Sequence, residues 1–222
     1  MKRGMTWLAF SVLGFATIAE AQDKKLEIGG NVGYTLSDGV SGDPIVAGDG
    51  NIYDEIGPKD SLSYGLSLGY FVTPQVQLEF VWSRQATQLE VSGTNTVEIG
   101  DVNLDNFHGG FSYHFGEPDA TARPYLSLGL GATATSGLDF VDRTGATRSI
   151  DGATRFSGKL GAGFKFYPGD SIGVRLGASW VPTYIKSDAE GYWCDPYWGC
   201  YVVGDAQYAN QFEFSAGISL RF

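Results

Sequence analysis

The last sixteen residues, Gln207 to Phe222, alternate with a period of two: Tyr208, Phe212, Phe214, Ala216, Ile218, Leu220 and Phe222 share one face, and Gln207, Gln211, Glu213, Ser215, Ser219 and Arg221 share the other. A strand of this length with one apolar and one polar wall is too two-faced for an ordinary soluble sheet. Lipid against the apolar wall and a watery or ion-paired interior against the polar wall would satisfy both. Strands in lipid must also pair every backbone group, so such a sheet has to close on itself.

The opposite end of the chain points to an exported protein. Met1-Lys2-Arg3 is basic, Trp7 to Ile18 is mostly apolar, and Ala19-Glu20-Ala21 is a small-x-small cleavage site. This is the layout of a secretory signal peptide over residues 1–21. Its apolar core is shorter than the ~20 residues a spanning helix needs, and no Cys follows the site to carry a lipid. Removing residues 1–21 takes Lys2, Arg3 and Glu20 away and moves the net charge from −10 to −11, which argues against nucleic acid as a partner. Residues 22–222 carry no Pro/Ser-rich linker or repeat and are expected to form a single domain.

Eight alternating segments are legible. Apolar faces run through Leu26 to Leu36, Leu62 to Val72, Val76 to Trp82, Leu126 to Ala134, Phe156 to Phe166, Ile172 to Trp180 and the terminal ribbon. The fourth segment, Val102 to Phe115, is the least regular, because Val102 and Leu104 are out of phase with Phe107, Phe111, Tyr113 and Phe115. The phase also blurs from Arg84 to Val91, which suggests a bulge or an exposed strand end. Connections alternate in length: Ser37 to Asp60, Ser136 to Gly152 and Ser187 to Ala206 are long, Ser92 to Gly100 is medium, and Thr73-Pro74, Gly116 to Ala122 and Pro168 to Asp170 are short. The sequence therefore predicts an all-β, eight-stranded antiparallel transmembrane β-barrel, with short turns on the periplasmic side and long loops outside. Tyr70, Phe115, Phe166, Tyr167 and Phe222 are expected in a lower aromatic girdle, and Tyr34, Trp82 and Trp180 in an upper one.

With the apolar face in lipid, Glu27, Glu79, Lys159, Lys165, Arg175, Glu213 and Arg221 point inward, together with Gln77, Gln211 and many Gly. An eight-stranded barrel is only wide enough for its own side chains, and charges buried there must pair. A crosslinked polar plug is the favoured reading, with a narrow permeation path as its rival.

The only cysteines, Cys194 and Cys200, lie in the last long loop, and an oxidising compartment makes a disulfide the default. Trp193, Tyr197, Trp198 and Tyr201 stand beside them as candidate contacts for an extracellular ligand, against the plainer reading of a loop packed over the barrel mouth or into lipopolysaccharide. Asp38, Asp43, Asp49, Asp54, Glu55 and Asp60 make the first loop acidic, but Asp49-Gly-Asn51 lacks an EF-hand pattern, so no metal site is assigned.

The ending Ile218-Ser-Leu220-Arg-Phe222 resembles the terminal signal read by the barrel-assembly machinery, with Phe222 as its last residue. Together with the strand pattern, it makes the chain similar to OmpA-like and OmpW-like outer-membrane β-barrel proteins over essentially the whole mature length. The resemblance implies a Gram-negative outer membrane, lipid and lipopolysaccharide as surroundings, no cofactor, and a structural or surface-interaction role. A narrow porin-like or OmpW-like channel is the alternative. Some small barrels also modify lipid A with a His and a Ser. Here the only histidines are His108 and His114, neither in a His-x-Ser arrangement, and Ser112 lies four residues from His108, far for a hydrogen bond along a strand. Catalysis is the weakest of the three readings.

Overall fold

The computed structural model describes residues 25–46, 51–141, 147–169, 171–185, 192–195, 199–202 and 208–222. The expected leader at residues 1–21 lies outside them. Fourteen strands are present: β1 (Leu26–Ser37), β2 (Val40–Val46), β3 (Ile52–Pro58), β4 (Ser61–Phe71), β5 (Val76–Gly93), β6 (Val97–His114), β7 (Ala122–Thr135), β8 (Leu138–Val141), β9 (Thr147–Ile150), β10 (Ala153–Phe166), β11 (Ile172–Tyr184), β12 (Tyr192–Asp195), β13 (Gly199–Val202) and β14 (Tyr208–Arg221).

Eight of them close a barrel in the order β1-β4-β5-β6-β7-β10-β11-β14, with every neighbouring pair antiparallel and β14 returning to β1. The seam is fastened by backbone bonds from Leu26 N–H to the Phe222 carbonyl and back. The shear can be read directly from register. Following paired residues from Leu26 through Tyr70, Leu78, Phe111, Leu128, Leu160, Trp180 and Phe212, the path re-enters β1 at Leu36, ten residues beyond its start. A stagger of that size tilts eight strands by about 40° and leaves an interior that side chains can fill.

Every residue on that path is apolar and outward, and the outer wall continues with Val32, Leu66, Leu68, Phe80, Leu130, Phe164, Leu176, Phe214 and Ile218, all exposed. The interior is the reverse: Glu27, Gln77, Glu79, His108, His114, Arg123, Lys165, Gln211, Glu213 and Arg221 are buried. A water-soluble barrel would invert this arrangement, whereas hydrocarbon around the wall requires it. In the upper girdle the Trp82 indole donates to Asp105 Oδ1 at 3.0 Å, and the Trp180 indole donates to Asn210 Oδ1 at 3.0 Å. Each indole thus keeps an apolar body toward lipid and a satisfied N–H, as the interface favours.

Several sequence expectations change. The long connections carry hairpins: β2/β3 leaves the barrel and β3 pairs with β5, β8/β9 occupies the second, and β12/β13 the third. Backbone that leaves the lipid still pairs where it can, and β5 offers an edge above the barrel wall. For the same reason β5 and β6 run 18 residues each and shrink the medium connection to residues 94–96. The blurred phase contains a register shift between Leu89 and Glu90.

From Val102 to Tyr113 the β5/β6 register runs without a shift. Val102 and Leu104 point inward, in phase with Asn106 and His108, and lie buried beside the β8 hairpin, where a Cβ on Gly100 would stand 2.5 Å from Leu138 Cδ1. Tyr167, expected in the lower girdle, shares the inward phase of Lys165 and is buried in the lumen. Among the short turns, Gly116 takes a φ of 84°, a left-handed conformation suited to Gly.

Candidate functional site in the barrel lumen

The lumen is layered. At its periplasmic end all eight barrel strands contribute side chains to a charged cluster. Lys165 on β10 donates to Glu27 Oε1 on β1 at 2.6 Å and to Gln77 Oε1 on β5 at 2.8 Å. Arg221 on β14 reaches Glu27 Oε2 at 3.3 Å, and the Tyr167 hydroxyl donates to the same oxygen. One level higher, Arg175 on β11 forms an ion pair with Glu79 on β5, which also accepts a 2.8 Å bond from Ser112 on β6. The Tyr125 hydroxyl on β7 accepts from Arg175 Nε at 2.9 Å. The cations rest on rings: Arg221 Cζ lies 3.5 Å from the Tyr167 centroid and 5.0 Å from that of Phe71 on β4, and Arg175 Cζ lies 4.6 Å from that of Tyr125.

Glycine makes this packing possible. A Cβ at Gly173 would stand 2.4 Å from Tyr167 Cε1, and one at Gly177 would stand 2.5 Å from the Tyr125 hydroxyl. β11 therefore presents bare backbone at both places where a ring must fit.

The extracellular end is closed by neutral groups. Gln211 Nε2 donates to Gln85 Oε1 at 2.9 Å, Asn106 Nδ2 donates to Gln211 Oε1 at 3.1 Å, and Gln85 Nε2 reaches Ser37 Oγ at 3.2 Å. The Thr133 hydroxyl lies 2.6 Å from Asn106 Oδ1 and 3.0 Å from both Ser157 Oγ and Thr183 Oγ1. His108 Nε2 lies 3.0 Å from Ser157 Oγ. Amide and hydroxyl chains of this kind rigidify a buried region when every member is satisfied.

Between the two ends the wall is small: Ser67, Ser127, Gly161, Gly177, Ser179 and Ser215 line a cavity of about 30 Å³ that Lys159, Arg175 and Glu213 also face. A cavity of that size has room for about one or two waters. Glu213 accepts one long bond, 3.5 Å from Asn31 Nδ2, and Lys159 has no hydrogen bond or ion pair among the described residues.

Of the seven charged residues read from the sequence as inward, Glu27, Lys165, Arg221, Glu79 and Arg175 are joined in the periplasmic cluster, while Lys159 and Glu213 stand apart in the central cavity. Sequence reasoning missed Arg123, His114, Tyr125, Tyr167 and Phe71 in the lower layer. All five lie in the inward phase of their strands, the only signal that marks them.

Sequence reasoning also sets Ser112 too far along the strand from His108 to bond it, and the two are indeed not partners. The structure gives His108 to Ser157 and Ser112 to Glu79, because partners across the lumen come from other strands. Two of the first-loop carboxylates serve the backbone: Asp60 accepts the Ser37 N–H at 2.8 Å, and Glu55 accepts that of Gly39 at 3.1 Å. Among the described residues no group of acidic, His or Cys side chains is arranged to hold a metal ion.

In the β12/β13 hairpin, backbone register sets Cys194 opposite Cys200 and Trp193 opposite Tyr201, while Tyr197 and Trp198 lie outside the described residues. Phe222 projects outward at the foot of the seam, 58% exposed.

Comparison with known proteins agrees with this architecture. The family described as outer membrane protein beta-barrel domain matches residues 5–222. Among solved structures, the outer membrane protein OprG from Pseudomonas aeruginosa superposes with a TM-score of 0.57 at 14% identity, covering 90% of this chain and 96% of that one. Neisserial surface protein A superposes with a TM-score of 0.51 at 13% identity, covering 89% and 97%. At such identities the likeness is one of fold. A search of curated proteins finds no matching sequence.

Proposed function

Since the chain belongs to the outer membrane protein beta-barrel domain family and is an integral protein of the Gram-negative outer membrane, we propose that it is a non-enzymatic barrel that braces the membrane and holds extracellular hairpins for surface contact. The observation that carries this reading is the lumen. Side chains from seven strands close its outer end and side chains from all eight close its inner end, and the cavities described between them measure about 30 and 10 Å³. A hydrated ion or solute needs a continuous path, and both layers would have to be dismantled to open one. Planar-bilayer recording tests the proposal: a silent membrane is expected, and regular conductance steps would overturn it.

A channel is the second reading, favoured by Lys159 and Glu213 facing the central cavity unengaged by the two closing networks. A lipid-modifying activity is disfavoured because the one His–Ser contact, His108 with Ser157, is buried inside the lumen, away from the lipid face. Unchanged lipid A in cells expressing the protein is the expected result.

The remaining assignments follow from position. The register that sets Cys194 opposite Cys200 places their Cα atoms at the roughly 5 Å separation a disulfide requires, which supports a clip on the outer hairpin. Reaction of the unreduced, unfolded protein with a thiol alkylating agent would exclude the clip. Trp193, Tyr197, Trp198 and Tyr201 are its proposed contact residues, and Phe222 at the seam is proposed as the residue the assembly machinery reads. Residues 1–21 are proposed as the cleaved leader.

A further inference from the structure

The periplasmic layer of the lumen is unbalanced in two independent ways. The first is charge. Among the described residues Arg123, Lys165, Arg175 and Arg221 meet two buried carboxylates, Glu27 and Glu79, so two positive charges are left over.

The second is hydrogen bonding. Six buried atoms in this layer have no partner among the described residues: Gln77 Nε2, His114 Nδ1 and Nε2, Arg123 Nε and Nη1, and Arg221 Nη2. All six are nitrogens, five of them donors if His114 is a neutral imidazole. Arg123 and Gln77 are 0% exposed. The one bond that Arg123 does make, from Nη2 to the Pro74 carbonyl at 2.6 Å, fixes the guanidinium and leaves its other edge facing the cluster.

These groups are neighbours. The Phe71 ring lies 5.0 Å from Arg221 Cζ and 5.2 Å from the His114 ring. Arg123 sits opposite Lys165 in the β7/β10 register, Gln77 opposite Phe71, and Arg221 is the foremost charge acting on Arg123. Two guanidiniums with unpartnered donors in one buried layer call for an acceptor that carries negative charge. Water supplies acceptor lone pairs but does not cancel the charge.

We infer that the periplasmic end of the lumen binds a small anion, of halide or formate size, between Arg123 and Arg221, with Gln77 and His114 completing its donors. The donor set resembles the ones that hold buried anions elsewhere: fixed planar guanidiniums plus a neutral amide. The buried rings of Phe71, Tyr125 and Tyr167 in the same layer limit the occupant to a few atoms. This site goes beyond the bracing role proposed above, because it gives the closed lumen a dissociable component drawn from the periplasm.

Bromide is the probe. The refolded barrel in detergent is melted in sodium bromide and, at equal ionic strength, in the sodium salt of a bulky sulfonate too large to enter. Bromide is expected to raise the unfolding midpoint by about 5 °C at saturating concentration, and Arg123→Met is expected to abolish that difference. Gln77→Met preserves every charge and is expected to weaken it, which keeps the test meaningful should the Arg123 variant fail to fold. Crystals grown in bromide are expected to show an anomalous peak within hydrogen-bond reach of Arg123. Equal midpoints in both salts, an undiminished bromide effect in a folded variant, or no anomalous peak beside Arg123 would each assign these donors to water and overturn the proposal.

Discussion

The two ends of the lumen do the same job with opposite chemistry. The periplasmic layer joins ions: Glu27 alone is contacted by Lys165, Arg221 and the Tyr167 hydroxyl. The extracellular layer joins Gln85, Gln211, Asn106, Thr133, Ser157 and Thr183 with no charge among them. In a low-dielectric interior an unpaired ion costs far more than an unpaired amide, so the charged layer tolerates no missing member. The neutral layer is more forgiving, because the loss of one amide or hydroxyl strands no ion. The difference identifies the inner layer as the structural keystone and the outer layer as the part that can vary with the hairpins above it.

This contrast can be broken by mutation. Glu27→Leu leaves Lys165 and Arg221 without their anion and is expected to destabilise the folded barrel by about 3–5 kcal/mol, read from thermal unfolding in detergent by gel mobility. A loss comparable to that of a neutral substitution would show that the cations find water instead. Gln211→Leu strands Asn106 Nδ2 and leaves Gln85 Oε1 with Ser37 Oγ alone, and is expected to cost about 1–3 kcal/mol. If it matched Glu27→Leu, the distinction between the layers would fail.

Outside the membrane the effect is expected to vanish. Lys59 donates to Glu98 at 2.6 Å at the extracellular end, with both side chains half in solvent, and that bond holds the Lys59 ammonium above its usual pKa. A raised folded value means that the pair is present throughout neutral pH and is lost only as pH climbs past that value. Water and salt screen it, so Lys59→Met should leave the unfolding midpoint unchanged, and a clear drop would show that the hairpin region shares in barrel stability.

Much of this organisation is legible in the sequence because lipid imposes a strict rule on every strand. All eight barrel strands, their outward faces and the sign of their inward residues follow from alternation, as Phe212 and Glu213 illustrate on β14. Alternation even explains the two misread positions: Val102 and Leu104 look out of phase only if inward residues are assumed polar, and they are apolar because the β8 hairpin covers them. Tyr167 was expected among the lower aromatics because aromatic character suggested the interface, while its odd position had already placed it beside Lys165 on the inner wall. The outer hairpins were hidden because they lie beyond the lipid, where no single solvent enforces a pattern.

Alternation along the chain specifies the closed sheet, its lipid-facing wall and the existence of a polar interior, since a period of two needs only local backbone geometry to be read. Which inward residues meet is set by the closure of the barrel. Glu27 and Lys165 are 138 positions apart, and the ten-residue stagger of the barrel brings them to the same level. The same stagger carries His108 to Ser157 and gathers Arg123, Arg221, Gln77 and His114 into one donor-rich layer. Shear is a property of the closed ring, summed over all eight strand pairings, and no individual strand contains it.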